Sequence, residues 1–252
     1  MKRRAFLAAV AAYPVANAAA AGKITALEFW RFEGRYTYEA GTANRQFQTN
    51  PLHIYDALRP KEYKEQGRPA GESKTSALYL KLRTDAGLEG LYGPIDEEAA
   101  VVVHRQLRPF LLGKEALAGE ALWDQLYRSN RHSRSSHYMM AISAVDNALW
   151  DLRGRYFKAP VYSLLGGPTR PAVQVYGSCL GFSVEPEFLK KKCVQLKQQG
   201  FMHQKWFMPF GPGDGAVGME KNVAIVRNLR EAMGYDVDIT FDAFMAWDLN
   251  YA

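Results

Sequence analysis

Residues 139–167 read MMAISAVDNALWDLRGRYFKAPVYSLLGG, and they set the frame for everything around them. Ala141, Ala144, Val145, Ala148, Leu149 and Leu152 fall at i, i+3, i+4, i+7, i+8 and i+11, which is one apolar stripe along a long helix. Four of the residues in and beside that stripe are small, so another element can approach the helix closely. Pro160 opens a second, short helix and Gly166-Gly167 ends it. Asp146 and Asp151 lie off the stripe and read as charges on the helix surface rather than as catalytic groups.

N-terminal to this helix the period changes. ITALEFWRF from Ile24 reads as a strand, and SALYLKLRTDAGLEGLYGPI reads as two more. Leu78, Leu80 and Leu82 alternate with Tyr79, Lys81 and Arg83, and Thr84-Asp85-Ala86-Gly87 supplies the turn, giving a three-stranded antiparallel start. Between the first two strands run about 45 residues, Arg31 to Thr75, with Phe32, Tyr36, Tyr38, Phe47, Tyr55 and Tyr63. Connections of this length are functional or disordered, and the aromatics favour an ordered lid over a plain surface loop. Glu97 to Tyr127 shows helical spacing. RSNRHSRSSHY then brings Arg128, Arg131, His132, Arg134 and His137 together, either as a solvated loop or subunit contact or as a surface that meets an acidic substrate.

C-terminal to the long helix the rhythm is strand, helix, strand, helix, strand. AVQVYGSCLG, FMHQKWF and DVDITFDAF are the strands; PEFLKKKCVQLKQQG and DGAVGMEKNVAIVRNLREAMG are the helices. Such alternation implies parallel βα units with right-handed crossovers. Cys179 and Cys193, near a strand end and inside the following helix, are expected to be free, partly buried thiols.

The 48% of apolar residues supports a real core, and the net charge of +6 owes three units to Lys2, Arg3 and Arg4. The remainder is unremarkable and gives no reason to expect nucleic-acid binding. Residues 1–22, MKRRAFLAAVAAYPVANAAAAG, read as an export signal: paired arginines, an apolar run from Ala5 to Ala12, and the small-x-small Ala16-Asn17-Ala18. Arg3 to Leu7 resembles a twin-arginine signal, and a general secretory route also fits. The expectation is an exported, periplasmic bacterial protein that has no membrane contact once the signal is removed. No other stretch approaches the roughly 18 apolar residues of a bilayer span.

AISAVDNALWDLRGRYFKAPVYSLLGG followed by a parallel βα series resembles the junction of capping domain and barrel in the mandelate racemase and muconate lactonizing group of the enolase superfamily. Residues 205–252 are similar to the acid-sugar dehydratases of that group, most nearly the L-rhamnonate type. The shared features are Gly211-Pro212-x-Asp214-Gly215, Arg230-Glu231 and Asp248-x-Asn250-Tyr251-Ala252. The resemblance implies an α+β capping domain followed by the first part of an α/β, TIM-like modified (β/α) barrel. The corresponding divisions are the signal 1–22, the capping domain 23–140, junction helices 141–171 and the barrel part 172–252.

It further implies a Mg²⁺ ion held by three carboxylates at strand C-termini, the first being Asp242, which is where barrel chemistry sits. Lys205 matches the lysine that contacts the substrate carboxylate. Phe207 stands where a second, basic lysine is usual, which disfavours lysine-side proton abstraction and two-base racemisation. In the dehydratases resembled, the base is a His-Asp dyad from later strands. His203, two residues before Lys205 and on its strand face, is the weaker catalytic candidate. Gly211 to Gly215 is a βα loop, not a phosphate loop, because no Gly-Lys-Ser/Thr follows. The implied reaction is removal of the proton α to a carboxylate and loss of water from a sugar acid, with the lid of Arg31 to Thr75 over the small-molecule substrate, in a possible homo-oligomer.

Three parallel strands do not close a barrel. The expectation is therefore an incomplete barrel, a fragment inactive by itself. Alternatives are a racemase, epimerase or cycloisomerase of the same group, and a non-catalytic remnant or binding module.

Overall fold

The computed structural model describes residues 21–40, 48–58, 60 and 69–252. The export signal lies outside the described residues except for Ala21 and Gly22, as do Phe47 and Tyr63 of the proposed lid. Two compact units divide the chain, one of residues 1–34 and 75–171, the other of residues 35–74 and 172–252.

β1 (Ile24–Tyr38), β2 (Gly71–Thr84) and β3 (Glu89–Ile95) form a sheet in that order, all of it in the first unit except residues 35–38 and 71–74. β2 and β3 are antiparallel, from Leu78 opposite Ile95 to Arg83 opposite Glu89. The expected turn joins them, with Gly87 at φ +79 and the Leu88 amide donating to Thr84 Oγ1 at 3.1 Å. Leu80 and Leu82 are fully buried. The sheet is longer than the apolar alternation suggests: β1 continues to Tyr38 and β2 already begins at Gly71, so the connection shrinks to residues 39–70. Phe32, Tyr36 and Tyr38 are strand residues rather than lid residues. This extension lacks a buried face and is held by cross-strand pairs instead, Phe32 edge-on to Tyr79 at 5.3 Å and Arg35 paired with Glu72 at 2.7 Å.

The helical stretch after β3 is not continuous. α1 (Glu97–Val102) passes through a π turn, Val103–Leu107, into α2 (Arg108–Leu111), and α3 (Gly119–Arg128) follows after a break. α4 (Ser136–Phe157) buries all six stripe residues to 1% exposure or less. β3 runs so close to α4 that a Cβ on Gly90 would lie 2.1 Å from the Ala148 carbonyl oxygen. Beside that contact, Asp151 Oδ2 accepts from the Leu91 amide at 2.8 Å and from Arg155 Nε at 2.9 Å. Asp151 is therefore a tie between helix and sheet, not the plain surface charge expected. Burial pushes the Asp146 carboxyl above its ordinary range. α5 (Val161–Leu164) follows Pro160 as expected. Ala21 is 3% exposed and the Gly22 carbonyl accepts from the Ala116 amide at 3.1 Å, so both belong to the folded unit.

The second unit contains β4 (Gly177–Ser178), α6 (Pro186–Gln198), β5 (His203–Phe207), α7 (Gly215–Met233) and β6 (Asp238–Asp242). Its three strands lie in the order β4-β5-β6 and are parallel, Ser178 opposite Lys205 and Phe207 opposite Asp242. The first of them is much shorter than its apolar sequence: because β5 starts at His203, residues before Gly177 run past the ladder, and Val173 and Val175 are 67% and 66% exposed. Gln204 and Trp206 point toward the helices, where Gln204 Nε2 donates to the Cys193 carbonyl at 2.9 Å and Trp206 Nε1 to Gln204 Oε1 at 3.2 Å. Cys179 and Cys193 are free as expected but fully rather than partly buried. Among the described residues no helix is long and apolar enough to cross a membrane.

Candidate functional site

Because successive strand side chains alternate, the helix-facing Gln204 and Trp206 put His203, Lys205 and Phe207 on the opposite face of β5. The parallel register places Thr240 and Asp242 of β6 on that same face. At the C-terminal ends of the two strands, Lys205 Nζ lies 3.4 Å from Asp242 Oδ2. The other oxygen of Asp242 accepts from the Phe244 amide at 3.0 Å, which fixes the carboxylate plane at the strand end. The two side chains keep 30% and 36% of their surface exposed, so the pair is open to a ligand. The neighbouring Tyr176, over whose ring Nζ lies at 5.3 Å from the centroid, and then the Asp242 carboxylate hold the Lys205 ammonium above its ordinary pKa. A cationic ammonium is a form that can contact an anion and has no lone pair with which to take a proton. Phe207 is fully buried opposite Asp242 and offers no proton acceptor.

His203 sits one level deeper. Its Nε2 is 3.4 Å from Thr240 Oγ1 and its ring centroid 5.6 Å from that of Tyr176. Tyr176 was not a sequence candidate. Its signal was parity alone: it is two residues before Ser178, on the inner face opposite His203 and Lys205.

Residues 48–58 of the long connection seat directly on the loop after β5. The Thr49 amide donates to the Met208 carbonyl at 2.9 Å, and the Met208 amide donates to the Asp242 carbonyl at 3.0 Å. The 3-10 turn Pro51–Leu58 packs on a second one, Pro212–Asp214, with His53 2% exposed and its Nδ1 3.9 Å from Asp214 Oδ2. Two glycines make that approach possible: a Cβ on Gly211 would be 2.7 Å from Thr49 Oγ1, and one on Gly213 would be 2.8 Å from the His53 carbonyl oxygen. The loop is braced from behind by Asn222 Nδ2 and Trp247 Nε1, which donate to the Phe210 carbonyl at 2.9 and 2.8 Å.

Asp242 offers hard carboxylate oxygen at the end of a parallel strand, the donor type that Mg²⁺ prefers. Among the described residues no group of three His, Cys, Asp or Glu side chains gathers to hold a metal ion. Asp242 is thus suited to be one ligand of a set and is not a cage by itself.

Residues 69–166 match the family described as mandelate racemase / muconate lactonizing enzyme, N-terminal domain. The structure of rhamnonate dehydratase from Gibberella zeae complexed with Mg superposes with a TM-score of 0.69 at 25% identity, over 91% of this chain and 55% of that one. The match places residues 69–166 in that N-terminal-domain family of the enolase superfamily. The chain's α+β layer is the superfamily's capping domain and its three parallel strands are the beginning of the barrel. An L-rhamnonate dehydratase from Saccharopolyspora erythraea is 32% identical over 193 residues, 76% of this chain and 47% of the relative. A racemase from Streptomyces coelicolor with bound magnesium has a TM-score of 0.64 at 25% identity, over 90% of this chain and 57% of that one. The chain spans about half the length of these relatives.

Proposed function

We propose that this chain carries the substrate-carboxylate contact and one metal ligand of an acid-sugar dehydratase. The observation that carries the reading is the Lys205–Asp242 pair, 3.4 Å apart on one face at the C-terminal ends of adjacent parallel strands. Supporting it are the likeness to L-rhamnonate dehydratase and the magnesium in two structurally similar proteins. Asp242 would hold Mg²⁺ as one of several ligands, and the ion supplies positive charge at the substrate carboxylate. Lys205 binds the same carboxylate and stabilises the negative charge that grows on it when the α proton leaves. Residues 48–58 seat on the loop that leaves β5, beside that end of the strands.

A neighbour named as a racemase has a similar fold, so racemisation is the competing reading. Phe207 decides between them on the β5 side: a buried phenyl ring accepts no proton, so exchange of a proton on that face is disfavoured and loss of water is favoured. The test is incubation of the protein, as its cells make it, with a panel of sugar acids that includes L-rhamnonate and with Mg²⁺. A 2-keto-3-deoxy acid is the product of water loss, whereas recovery of an epimer at C2 supports the racemase outcome and no change in any acid removes the enzyme reading.

We also propose export, carried by the arginine pair and apolar run of residues 3–12. The packed positions of Ala21 and Gly22 support cleavage before Ala21, after Ala18 or shortly beyond it. N-terminal sequencing of the cell-derived protein checks this, and a first residue beyond Gly22 contradicts it.

A further inference from the structure

An aspartate side chain at a strand end has two torsions to settle, and a carboxylate that must be ordered as an ion arrives binds it more weakly than one already aimed. The Asp242 backbone is tied to its neighbour strand, since its carbonyl accepts from the Met208 amide at 3.0 Å. The side chain is tied separately. Oδ1 accepts from the Phe244 amide at 3.0 Å, whereas the Lys205 contact with Oδ2, at 3.4 Å, is long for a hydrogen bond between charged groups.

The amide that holds Oδ1 belongs to a strained turn. Ala243 to Ala246 close with the Ala246 amide on the Ala243 carbonyl at 2.9 Å, and the two central residues have positive φ, +47 at Phe244 and +61 at Met245. That is the φ pattern of a type I′ turn, which Asn and Gly ordinarily fill. Among the described residues four non-glycine residues have positive φ, and these are the two that are adjacent. Bulky side chains disfavour this conformation, so the surroundings must impose it. Met245 does not, because it is 94% exposed. Phe244 is half-buried and packs on the core that contains Trp206, Phe207 and Met208. Just beyond the turn, Trp247 Nε1 donates to the Phe210 carbonyl at 2.8 Å and secures its far end.

We propose that Phe244 is a positioning residue for Asp242: its ring, held in the core, keeps the turn left-handed, and the amide so placed fixes Oδ1 and leaves Oδ2, the oxygen beside Lys205, for the cation. The proposal rests on the reading of Asp242 as a metal ligand and names what aims it.

The orientation of the Asp242 side chain is read without metal, from the three-bond couplings of its Cγ to its own backbone nitrogen and carbonyl carbon. A single χ1 rotamer is expected in the unaltered chain. Replacing the peptide bond at the Phe244 nitrogen by an ester keeps the ring and removes the donor. Phe244→Gly keeps the donor and suits a positive φ, but has no ring to anchor. Averaged couplings are expected in both, and a single rotamer in Phe244→Leu, which restores an apolar anchor. Mn²⁺ affinity is expected to fall about tenfold in the first two and to hold in the third, as when a ligating carboxylate loses the partner that orients it. The ester leaves every side chain in place, so it decides should the glycine variant fail to fold. A single rotamer in the ester variant overturns the role of the amide, and one in a folded Phe244→Gly overturns that of the ring. Averaging in the unaltered chain, or undiminished Mn²⁺ affinity in the ester variant, overturns the positioning of a ligand. Absence of Asp242-dependent Mn²⁺ binding in the unaltered chain, with a single rotamer, overturns the metal reading instead, and with it the use assigned to the turn.

Discussion

The amide of Thr49 donates to the carbonyl of Met208 across 2.9 Å, joining the long connection after β1 to the loop that leaves the β5 strand. Gly211 and Gly213 leave room for that approach, since a Cβ on either would meet residues 49–54 within 3 Å. Gly213→Ala would drive a methyl group into the backbone of His53 and Ile54, at 2.8 and 3.0 Å, which cannot turn aside. Gly211→Ala meets the Thr49 hydroxyl at 2.7 Å, an end that can rotate. Faster proteolysis within residues 48–58 and faster amide exchange at Thr49 are expected for both, and more strongly for Gly213→Ala. Equal protection in Gly213→Ala and the unaltered chain would show that the segment is held some other way.

Lys205 and Asp242 are about a third exposed, so their attraction adds under about 1 kcal/mol to stability. Lys205→Ala and Asp242→Asn should therefore unfold in urea within about 1 kcal/mol of the unaltered chain. Removal of Lys205 should nevertheless weaken sugar-acid binding by roughly tenfold to a hundredfold, the worth of a hydrogen bond between charged groups. Loss of fold together with loss of binding would make the pair structural.

Burial raises the Cys179 thiol to about 12 and the Cys193 thiol to about 11, from 9.0. An unfolded chain ionises both near pH 9 while the folded chain does not. The stability that the folded thiols confer is whole below pH 9 and is lost as pH rises from there toward 11 and 12, by up to about 1.4 kcal/mol per pH unit for each thiol. Urea melts between pH 8 and 11 should show this decline, and it should be shallower in Cys179→Ala than in the unaltered chain. A thiol reagent at neutral pH should modify neither residue before unfolding.

Asp151→Ala removes the acceptor of the Leu91 amide and should cost about 1 to 3 kcal/mol. Gly90→Ala should cost more, because its methyl group would overlap the Ala148 carbonyl and push β3 off α4. Thermal midpoints of the two variants order these effects; a harmless Gly90→Ala would contradict the close packing.

Elements that bury one face announced themselves in the sequence. The stripe from Ala141 to Leu152, the alternation around Leu80 and Leu82 and the strand–helix rhythm after Pro171 all reflect burial, which imposes a period. Tyr38 and Gly71 could not be recognised as strand residues, since the arm they pair in is exposed and depends on partners 33 positions apart. The seat of residues 48–58 was equally hidden: the glycines at 211 and 213 signalled a loop, but what they make room for is decided by residues about 160 positions earlier. At the site, Lys205, His203 and Asp242 were nameable from strand parity and from family likeness, and the structure brings all three to one face of β5 and β6. Tyr176 escaped because the strand it precedes is two residues long and carries too little alternation to reveal which way a side chain faces.

The most direct measurement of the central claim, that Asp242 is a metal ligand beside a carboxylate-binding lysine, is titration of the ¹⁵N-labelled protein with Mn²⁺, a paramagnetic stand-in that favours the same oxygen ligands as Mg²⁺. Selective broadening of the amide signals of Met208, Asp242 and Phe244, abolished in Asp242→Asn and competed by Mg²⁺, is the predicted result. Broadening centred on other residues, or unchanged in Asp242→Asn, would contradict it.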